Sequence, residues 1–377
     1  MVKRESICVV KVGGSILTDA KSYVEAARNI GRLAESGYLP IVVVSAAKGV
    51  TDILLRVSRG SEEELGRVFN LYIEIAEKLG SQKVYRRVFE ELIALERAAR
   101  LARGGCSPAL QDLILSFGER LSKILMVEAL ETVGVRTLEL DARDVIVTDG
   151  IHGDATINYL ATLSRLVKIA NLITGTRAVP VVEGFIGAAK DGRTTTLGRG
   201  GSDYTATSVA ALLGVNDVYL VTDVDGIMTA DPSVVPEARI VKVLSYAEAR
   251  EAAIYGAKRI NPKTFEPLVK FYSSTVYVGS WKLFGTKIQR RVPGEHAGAK
   301  MVVHGTPHRG IPYVAVIGEG VCSVSFVKRI VDTLYENEVE AMELRAKRRR
   351  PSVVVFVRVG DEIKTLKLLH RRILEEV

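Results

Sequence analysis

Short apolar segments that alternate with helical patterns constrain the fold of this chain most strongly. The segments are rich in Val and Ile, and their continuous apolar character is typical of strands that helices cover on both faces. They lie at residues 7–12, 40–45, 137–140, 178–182, 217–222 and 275–278. We therefore predict an α/β fold in which helices flank a parallel sheet and ligands bind at the carboxyl ends of its strands.

The pattern changes after about residue 290. Strands are predicted at 301–304, 312–317, 339–344 and 352–358, with helices at 323–336 and 361–375. This order predicts a smaller α+β domain, whose sheet the segment at 301–304 completes. A chain of 377 residues has room for two domains, which we place at residues 1–295 and 296–377.

Residues 61–105 differ from their surroundings because they are charged, rich in Glu, Arg and Leu, and free of proline. They predict one or two long exposed helices with a break near Gly80 and Ser81. We interpret this stretch as a helical insertion that carries no catalytic residue.

The net charge of +8 raises the question of a nucleic-acid partner. The densest basic run, from Arg345 to Arg350, stands between two predicted strands and ends at Pro351, which indicates a solvated hairpin loop. No aromatic residue interleaves with the run, as a stacking surface for single strands would require. We therefore predict no nucleic-acid partner.

The cysteines and the N-terminal sequence indicate a cytoplasmic protein. Cys8, Cys106 and Cys322 lie far apart, so neither a disulfide framework nor a cysteine-rich zinc site is expected. The apolar run that ends at Lys11 is too short for a signal peptide, and no segment approaches the roughly 18 apolar residues of a membrane span. The histidines show no spacing typical of a metal site, and we interpret all of them as structural. They are His152, His296, His304, His308 and His370.

The sequence TTTLGRGGSD at residues 194–203 combines flexible glycines with one cation, Arg199, and one carboxylate, Asp203. Glycines such as Gly200 and Gly201 let backbone N–H groups approach an anion closely. The apolar run at 205–213 predicts a helix whose positive end faces the same anion. This stretch is therefore expected to bind an anionic ligand.

Further motifs follow in a fixed order. KVGGS stands at residues 11–15, SFGER at 116–120, GFIG at 184–187, TDVDG at 222–226 and GAK at 256–258. Together with TTTLGRGGSD, this series resembles that of the aspartate kinases in the amino acid kinase family. The C-terminal pattern is similar to one ACT-type regulatory module, where aspartate kinases commonly carry two in tandem.

The resemblance implies transfer of the γ-phosphoryl group of ATP to the side-chain carboxylate of L-aspartate, giving 4-phospho-L-aspartate. This is the first step of the pathway to lysine, threonine and methionine. A free carboxylate with a pKa near ~4 is already ionised at neutral pH, so the reaction needs no general base. The site must instead align two anions and offset their charge with lysines, backbone N–H groups and the Mg²⁺ of Mg-ATP.

The resemblance also implies roles for residues in these motifs. Lys11 and Lys258 correspond to the lysines that contact the phosphates, and Asp203 to the carboxylate that holds the lysines of the site. Backbone groups of Gly13, Gly14, Gly200 and Gly201 are expected to contact the nucleotide, as are Thr222 and Asp223. Without the family, Lys258 would be a lysine at a helix end, and Asp203 an ordinary helix N-cap.

The amino acid substrate needs a cation for a carboxylate and an acceptor for its ammonium group. Arg199 suits the carboxylate because its planar guanidinium gives two parallel hydrogen bonds. The resemblance places Glu119 in the substrate site, where its charge suits the ammonium. Ser45, Thr51 and Ser202 correspond to hydroxyl contacts. The alternative for Glu119 is an ion pair with Arg120 on the helix surface.

The sequence departs from the family pattern near the nucleotide. Val12 replaces a phenylalanine, Met228 stands where a tyrosine is common, and Ser233 stands where an arginine is frequent. Two alternatives to an aspartate kinase stay open. One is an amino acid kinase for another carboxylate or phosphate, and the other is a silent regulator that binds nucleotide and amino acid.

The expected partners are ATP, L-aspartate and a second copy of the chain. A single ACT-like sheet has an edge that needs covering, so we predict a homodimer or a dimer-based oligomer. Lysine or threonine is a candidate effector, and the turn formed by Gly318, Glu319 and Gly320 is the expected place for an amino acid to bind.

Overall fold

The chain folds into two compact units, Met1–Asp223 and Val224–Val377. The computed structural model describes residues 6–176, 178–258, 260–271, 274–306 and 310–375. Among these residues, no helix combines the length and apolar character needed to cross a membrane.

The first unit alternates strands and helices, with a 3-10 turn at Gly14–Ile16. Its strands are β1 (Ser6–Val12), β2 (Tyr38–Val44), β3 (Thr137–Glu139), β4 (Val179–Glu183), β5 (Ile186–Ala188), β6 (Thr194–Thr196) and β7 (Asp217–Val221). Its helices are α1 (Ala20–Glu35), α2 (Val50–Val57), α3 (Glu62–Leu79), α4 (Gln82–Ala102), α5 (Pro108–Thr132), α6 (Ala142–Val145), α7 (Tyr159–Thr176) and α8 (Gly201–Leu213).

Five strands of the first unit form a parallel sheet in the order β3-β4-β2-β1-β7. Every residue of β4 is buried, and β2 is buried from its second residue onward. The parallel sheet predicted from the apolar segments is therefore confirmed in this unit. Strands β5 and β6 form a separate antiparallel ribbon that leads into the glycine-rich loop.

The charged stretch at 61–105 forms two helices with the predicted break. Gly80 ends α3 in the left-handed region with φ of 80°, and the Ser81 side chain caps α4 by accepting from the Val84 N–H. The helices are less exposed than expected, because each buries one face. That face includes Val68 and Tyr72 on α3.

The second unit contains a small mixed sheet and a four-stranded antiparallel sheet. Its strands are β8 (Val243–Ser245), β9 (Thr275–Gly279), β10 (Thr286–Gln289), β11 (Met301–Gly305), β12 (Tyr313–Ile317), β13 (Ala341–Ala346) and β14 (Ser352–Val357). Its helices are α9 (Tyr246–Ile254), α10 (Glu266–Phe271), α11 (Val324–Glu336) and α12 (Glu362–His370), with short turns at Pro262–Phe265, Gly294–His296 and Arg371–Glu375. Strand β9 pairs antiparallel with β10, and β10 parallel with β8, so a wholly parallel sheet is wrong here.

The C-terminal sheet has the order β11-β12-β14-β13. Strand β11 completes it, as predicted from the segment at 301–304. Its core joins the sheet to α11 and α12 through residues such as Val316, Ile330 and Leu366. The basic run lies in the β13–β14 hairpin, where Arg345 pairs with Glu343 at 2.6 Å and stacks on Phe356.

Candidate active site

Lys11 lies near the end of β1, where it pairs with a carboxylate from another element. Its Nζ is 2.7 Å from Asp203 Oδ1, and the two side chains are only 14% and 15% exposed. Gly13 and Gly14 follow directly, and a Cβ at either position would overlap a backbone oxygen, of Val221 or Ala46. Only glycine therefore allows these three backbone segments to meet beside the Lys11 ammonium group.

Asp203 stands in the first turn of α8 but does not cap it. The N-cap is Gly200, which adopts the left-handed region with φ of 73°. The helix thus begins within the glycine-rich loop, four residues earlier than the apolar run indicates. The Asp203 side chain binds Lys11 and not the helix amides, so the N-cap interpretation is wrong.

Glu119 is buried on α5, and its Oε2 has no hydrogen-bond partner among the described residues. Loss of hydration raises the pKa of the Glu119 carboxyl to about 8; Glu183 adds to the rise, while Ala46 N–H and Lys11 oppose it. The predicted alternative, an ion pair with Arg120, is absent, because Arg120 binds Glu91 at 2.7 Å. An orphaned buried carboxylate can accept a cationic ligand.

A buried ion pair beside Glu119 was missed from the sequence. Lys123 Nζ lies 2.6 Å from Glu183 Oε1 and donates to the Leu140 carbonyl at 2.9 Å. The other Glu183 oxygen accepts from the Ala142 N–H. Lys123 follows Glu119 by four residues on α5, so helical spacing in SFGERLSK was the signal available.

The three proposed hydroxyl contacts lie just after β2 and in the first turns of α2 and α8. Ser45 follows β2 and is buried, and its N–H donates to the Val12 carbonyl. Ser202 is also buried, and Gly184 after β4 packs against it so closely that a Cβ would overlap. Thr51 is half-buried in the first turn of α2. Arg199 is exposed, and it makes no ion pair with a described residue.

Thr222 and Asp223 follow β7 at the same edge of the sheet. The Thr222 hydroxyl donates to Asp223 Oδ1 at 3.1 Å and lies 3.3 Å from the Ser15 hydroxyl. The structure therefore brings two of the expected nucleotide contacts next to the loop that carries Gly13 and Gly14.

The second unit contains a cavity of about 560 Å³. Its lining includes Met228, Ser233 and Lys258, together with Met301 and His304 of β11. Lys258 Nζ lies 2.5 Å from Asp231 Oδ2. Because Lys258 follows the last residue of α9 by four residues, it is not in the last turn of that helix. Burial opposes ionisation of Asp231, but hydrogen bonds from Lys258 and Ser233 outweigh it and lower the Asp231 pKa.

Two further residues of the first unit were not singled out from the sequence. Tyr72 on the helical insertion donates to the Gly118 carbonyl at 2.9 Å, next to Glu119. Asp112 on α5 is fully buried and lies 2.6 Å from His152 Nδ1. In the second unit, His370 Nε2 lies 2.9 Å from the Thr229 hydroxyl, and His308 falls outside the described residues.

The turn expected to hold an effector is already engaged by the protein. The Glu319 N–H donates to buried Glu248 at 2.8 Å, and the Gly318 N–H donates to the Pro351 carbonyl at 2.9 Å. Glu248 also pairs with Lys300 at 2.7 Å. Two donors of this turn are therefore not available for the carboxylate of an amino acid.

Comparison with known proteins gives one family for most of the chain. Residues 6–280 match the amino acid kinase family. The chain is 37% identical to lysine-sensitive aspartokinase 3 of Escherichia coli (strain K12) over 285 residues, covering 73% of this chain and 62% of that protein. It is 35% identical to chloroplastic aspartokinase 1 of Arabidopsis thaliana over 276 residues, covering 69% and 48%. The chain thus spans less than two thirds of either relative.

Two solved structures of an aspartokinase resemble this chain over nearly its whole length. The structure of E. coli aspartokinase III in complex with aspartate and ADP, in the R-state, superposes with a TM-score of 0.87 at 25% identity, covering 98% of this chain and 100% of that one. The T-state of the same protein, in complex with lysine and aspartate, gives a TM-score of 0.71 at 29% identity, covering 97% and 82%.

Proposed function

Because the chain belongs to the amino acid kinase family, we propose that it is an aspartate kinase. It transfers the γ-phosphoryl group of Mg-ATP to the side-chain carboxylate of L-aspartate and releases 4-phospho-L-aspartate and ADP. This reaction is the first step of the route to lysine, threonine and methionine. The relatives and solved structures named aspartokinase support this choice of substrate.

One observation carries the proposal: Glu119 is buried with an orphaned oxygen at the strand edge where Lys11 pairs with Asp203. An amino acid with a second carboxylate matches this arrangement, because its ammonium group satisfies Glu119 and its carboxylate meets Arg199. Ser45, Thr51 and Ser202 supply hydroxyl contacts. The substrate carboxylate attacks the γ-phosphorus in its ionised form, and no side chain acts as a general base.

The charge arrangement supports phosphoryl transfer. Lys11 contacts the phosphates and offsets the charge that builds up as the two anions approach, while Asp203 holds its ammonium group in place. The backbone amides of Gly13, Gly14, Gly200 and Gly201 donate to phosphate oxygens. Thr222 and Asp223 contact the nucleotide, and Lys258 is the second phosphate-binding lysine. Mg²⁺ carried by the nucleotide would offset part of the phosphate charge, beside the charge offset by Lys11 and Lys258.

The cavity lined by Met228 and Ser233 is proposed to receive part of the nucleotide. Both residues are departures from the family pattern, and both lie on its wall. A methionine offers apolar contact without the hydrogen bond of a tyrosine, and a serine brings no positive charge. Nucleotide affinity is therefore expected to depend strongly on Lys258.

Domain organisation, location and assembly are part of the proposal. Residues 1–295 form the catalytic domain and 296–377 an ACT-like regulatory domain, in a cytoplasmic homodimer or dimer-based oligomer. Lysine is the preferred effector, because a solved relative is a complex with lysine and aspartate. Its site is expected away from the turn at Gly318, whose amides already have partners.

The experiment that tests the function is ADP release with aspartate, glutamate and N-acetylglutamate as separate acceptors. Aspartate is expected to give the highest kcat/KM, with a hydroxylamine-reactive acyl phosphate as product. Preference for another acceptor would assign a different amino acid kinase. Aspartate and ATP binding without ADP release would assign the silent regulator.

A further inference from the structure

A second buried carboxylate on α5 lies outside the roles proposed above. Asp112 precedes Glu119 by seven residues, two helical turns along the same face. Its oxygens accept from the Thr196 hydroxyl at 2.5 Å and from the Gly153 N–H at 3.1 Å, and Oδ2 lies 2.6 Å from His152 Nδ1.

Among the described residues, the His152 side chain has no hydrogen-bond partner besides Asp112. Its side chain is 13% exposed, and its Nε2 is buried without a hydrogen-bond partner. Asp112 is thus the hydrogen-bond partner of the ring, and the neighbouring Gly153 N–H donates to the same carboxylate. Asp112 therefore fixes one end of the turn at residues 152–154.

The donors to Asp112 come from two segments that meet at the glycine-rich loop. Thr196 ends β6, and Gly198 and Arg199 follow within three residues. The turn packs on the same loop, because a Cβ at Gly198 would overlap the Asp154 carboxylate and lie 3.4 Å from the Gly153 carbonyl. The Ala155 N–H also donates to the Thr196 carbonyl at 2.9 Å. One carboxylate thus joins the residue before the glycine-rich loop, and the turn that packs on this loop, to the helix that carries Glu119.

Arg199 follows Thr196, which donates to Asp112, by three residues. Its exposed side chain makes no ion pair with the described residues, so the backbone of the loop decides where the guanidinium group stands. Bidentate binding of a carboxylate tolerates little displacement, because each of the two N–H groups must point at its own carboxylate oxygen.

We propose that Asp112, acting through His152 and Thr196, is a positioning residue that holds Arg199 at the correct distance from Glu119 for an amino acid to bind to both. The inference rests on the proposed function, in which Arg199 binds a substrate carboxylate. Asp112 itself touches neither substrate nor nucleotide. Its removal is expected to affect aspartate much more than ATP.

The test compares Asp112→Asn and Thr196→Val with wild type by calorimetric titration of the full chain with aspartate and, separately, with a non-hydrolysable ATP analogue. Aspartate affinity should fall about tenfold, the scale of one lost hydrogen bond to a charged group, while affinity for the analogue stays within about twofold. Asp144→Asn is the matched control, since Asp144 is an exposed aspartate in the first turn of α6 and does not contact Asp112 or the turn at residues 152–154. It should bind aspartate as wild type does.

A double-mutant comparison separates a specific effect on the position of Arg199 from a general loss of order in the site. In an Arg199→Lys background, Asp112→Asn should weaken aspartate binding by less than about twofold, because the interaction it supports is already lost. Full additivity would overturn the inference, as would unchanged aspartate affinity in both single variants. If Asp112→Asn fails to fold by circular dichroism, Thr196→Val, which removes only one donor, decides the question. A wild-type protein that binds no aspartate would overturn the proposed function as well.

Discussion

The hydroxyl of Tyr72 donates to the carbonyl oxygen of Gly118 at 2.9 Å, across 46 residues of sequence. It also lies 3.2 Å from the Ser122 hydroxyl, one turn further along α5. Tyr72 is fully buried, and burial raises the pKa of its hydroxyl well above the ordinary value, so the donor keeps its proton. The helical insertion therefore supports the part of α5 that carries Glu119.

Tyr72→Phe tests this support. Losing one buried hydrogen bond should lower the free energy of unfolding by about 1–2 kcal/mol. The corresponding fall in the thermal midpoint is about 2–4 °C, measured by calorimetry. Tyr85→Phe, at a position that is 36% exposed on α4, is the control and should leave the midpoint unchanged. Equal midpoints for Tyr72→Phe and wild type would show that the bond contributes nothing.

Lys11→Ala should abolish most of the activity without unfolding the protein. Removing one charge-stabilising donor from a phosphoryl transfer site costs roughly 10²–10³ in turnover. The measurement is kcat at saturating ATP and aspartate, with circular dichroism to check the fold. Lys21→Ala is the matched control, because Lys21 is exposed in the first turn of α1. Near-normal turnover in Lys11→Ala would remove this lysine from the mechanism.

The apolar segments predicted the strands well, because continuous Val and Ile runs leave little choice of structure. The segment at 7–12 became β1 (Ser6–Val12), and that at 301–304 became β11. Strands β5, β6, β8 and β10 were missed, since each is only three or four residues long. Their pairing depends on the neighbouring strand, which local sequence does not contain.

Lys11 and Asp203 could be singled out from the sequence because they lie in motifs that resemble those of the family. The spacing of KVGGS and GRGGSD placed Lys11 and Asp203 in motifs, and the fold joined them at 2.7 Å. Tyr72 and Asp112 could not be identified in this way. Each looks like an ordinary helical residue, and their contacts, to Gly118 and Thr196, are distant in sequence.

The affinity for aspartate should increase with pH. With a pKa of about 8, the Glu119 carboxyl is mostly protonated at neutral pH and binds an ammonium group poorly. If only the ionised form binds, the KM for aspartate should fall about tenfold between pH ~7 and ~9. Glu119→Gln should raise the KM and flatten this profile, whereas a KM in wild type that does not change with pH would contradict the role of Glu119.

The same carboxyl affects stability with a defined sign. Its pKa is raised from 4.5 in the unfolded chain to about 8, so the folded protein holds the proton more tightly. Its contribution to stability is therefore present below the unfolded pKa and is lost as pH rises through the folded value. Denaturant titrations at low and high pH should show that the free energy of unfolding falls less with rising pH in Glu119→Gln than in wild type.

Lys258→Ala should weaken ATP binding. Lys258 lines the cavity of the second unit and is 69% exposed, so its removal leaves the core intact. Its loss also leaves Asp231 as an unpaired negative charge beside the expected phosphates. The KM for ATP should rise at least about tenfold, as for a lost charged hydrogen bond, with a smaller change for aspartate. Lys364→Ala, exposed on α12, is the control. Equal KM values for ATP would exclude Lys258 from the nucleotide site.

The exposed edge of the C-terminal sheet is the proposed dimer contact. Strands β13 and β11 form the two edges of the sheet. The β11 edge is partly satisfied, because the Val302 N–H donates to the Thr229 carbonyl. Met342 on β13 is 58% exposed, and Val324 and Tyr335 on α11 are 87% and 85% exposed. A strand edge without a partner strand, in a module with exposed apolar side chains, favours pairing with a second copy.

Met342→Lys combined with Tyr335→Lys should convert the dimer to a monomer, because two buried charges without partners oppose association. Light scattering should then give a mass near 41.1 kDa in place of twice that value. Point changes are preferable to deleting residues 301–377, since Ala230 and Val235 share the core of this module and would lose their cover. Leu160→Lys, at an 83% exposed position of the first unit, is the control and should remain dimeric. A double variant that is still dimeric would place the contact outside the β13 edge.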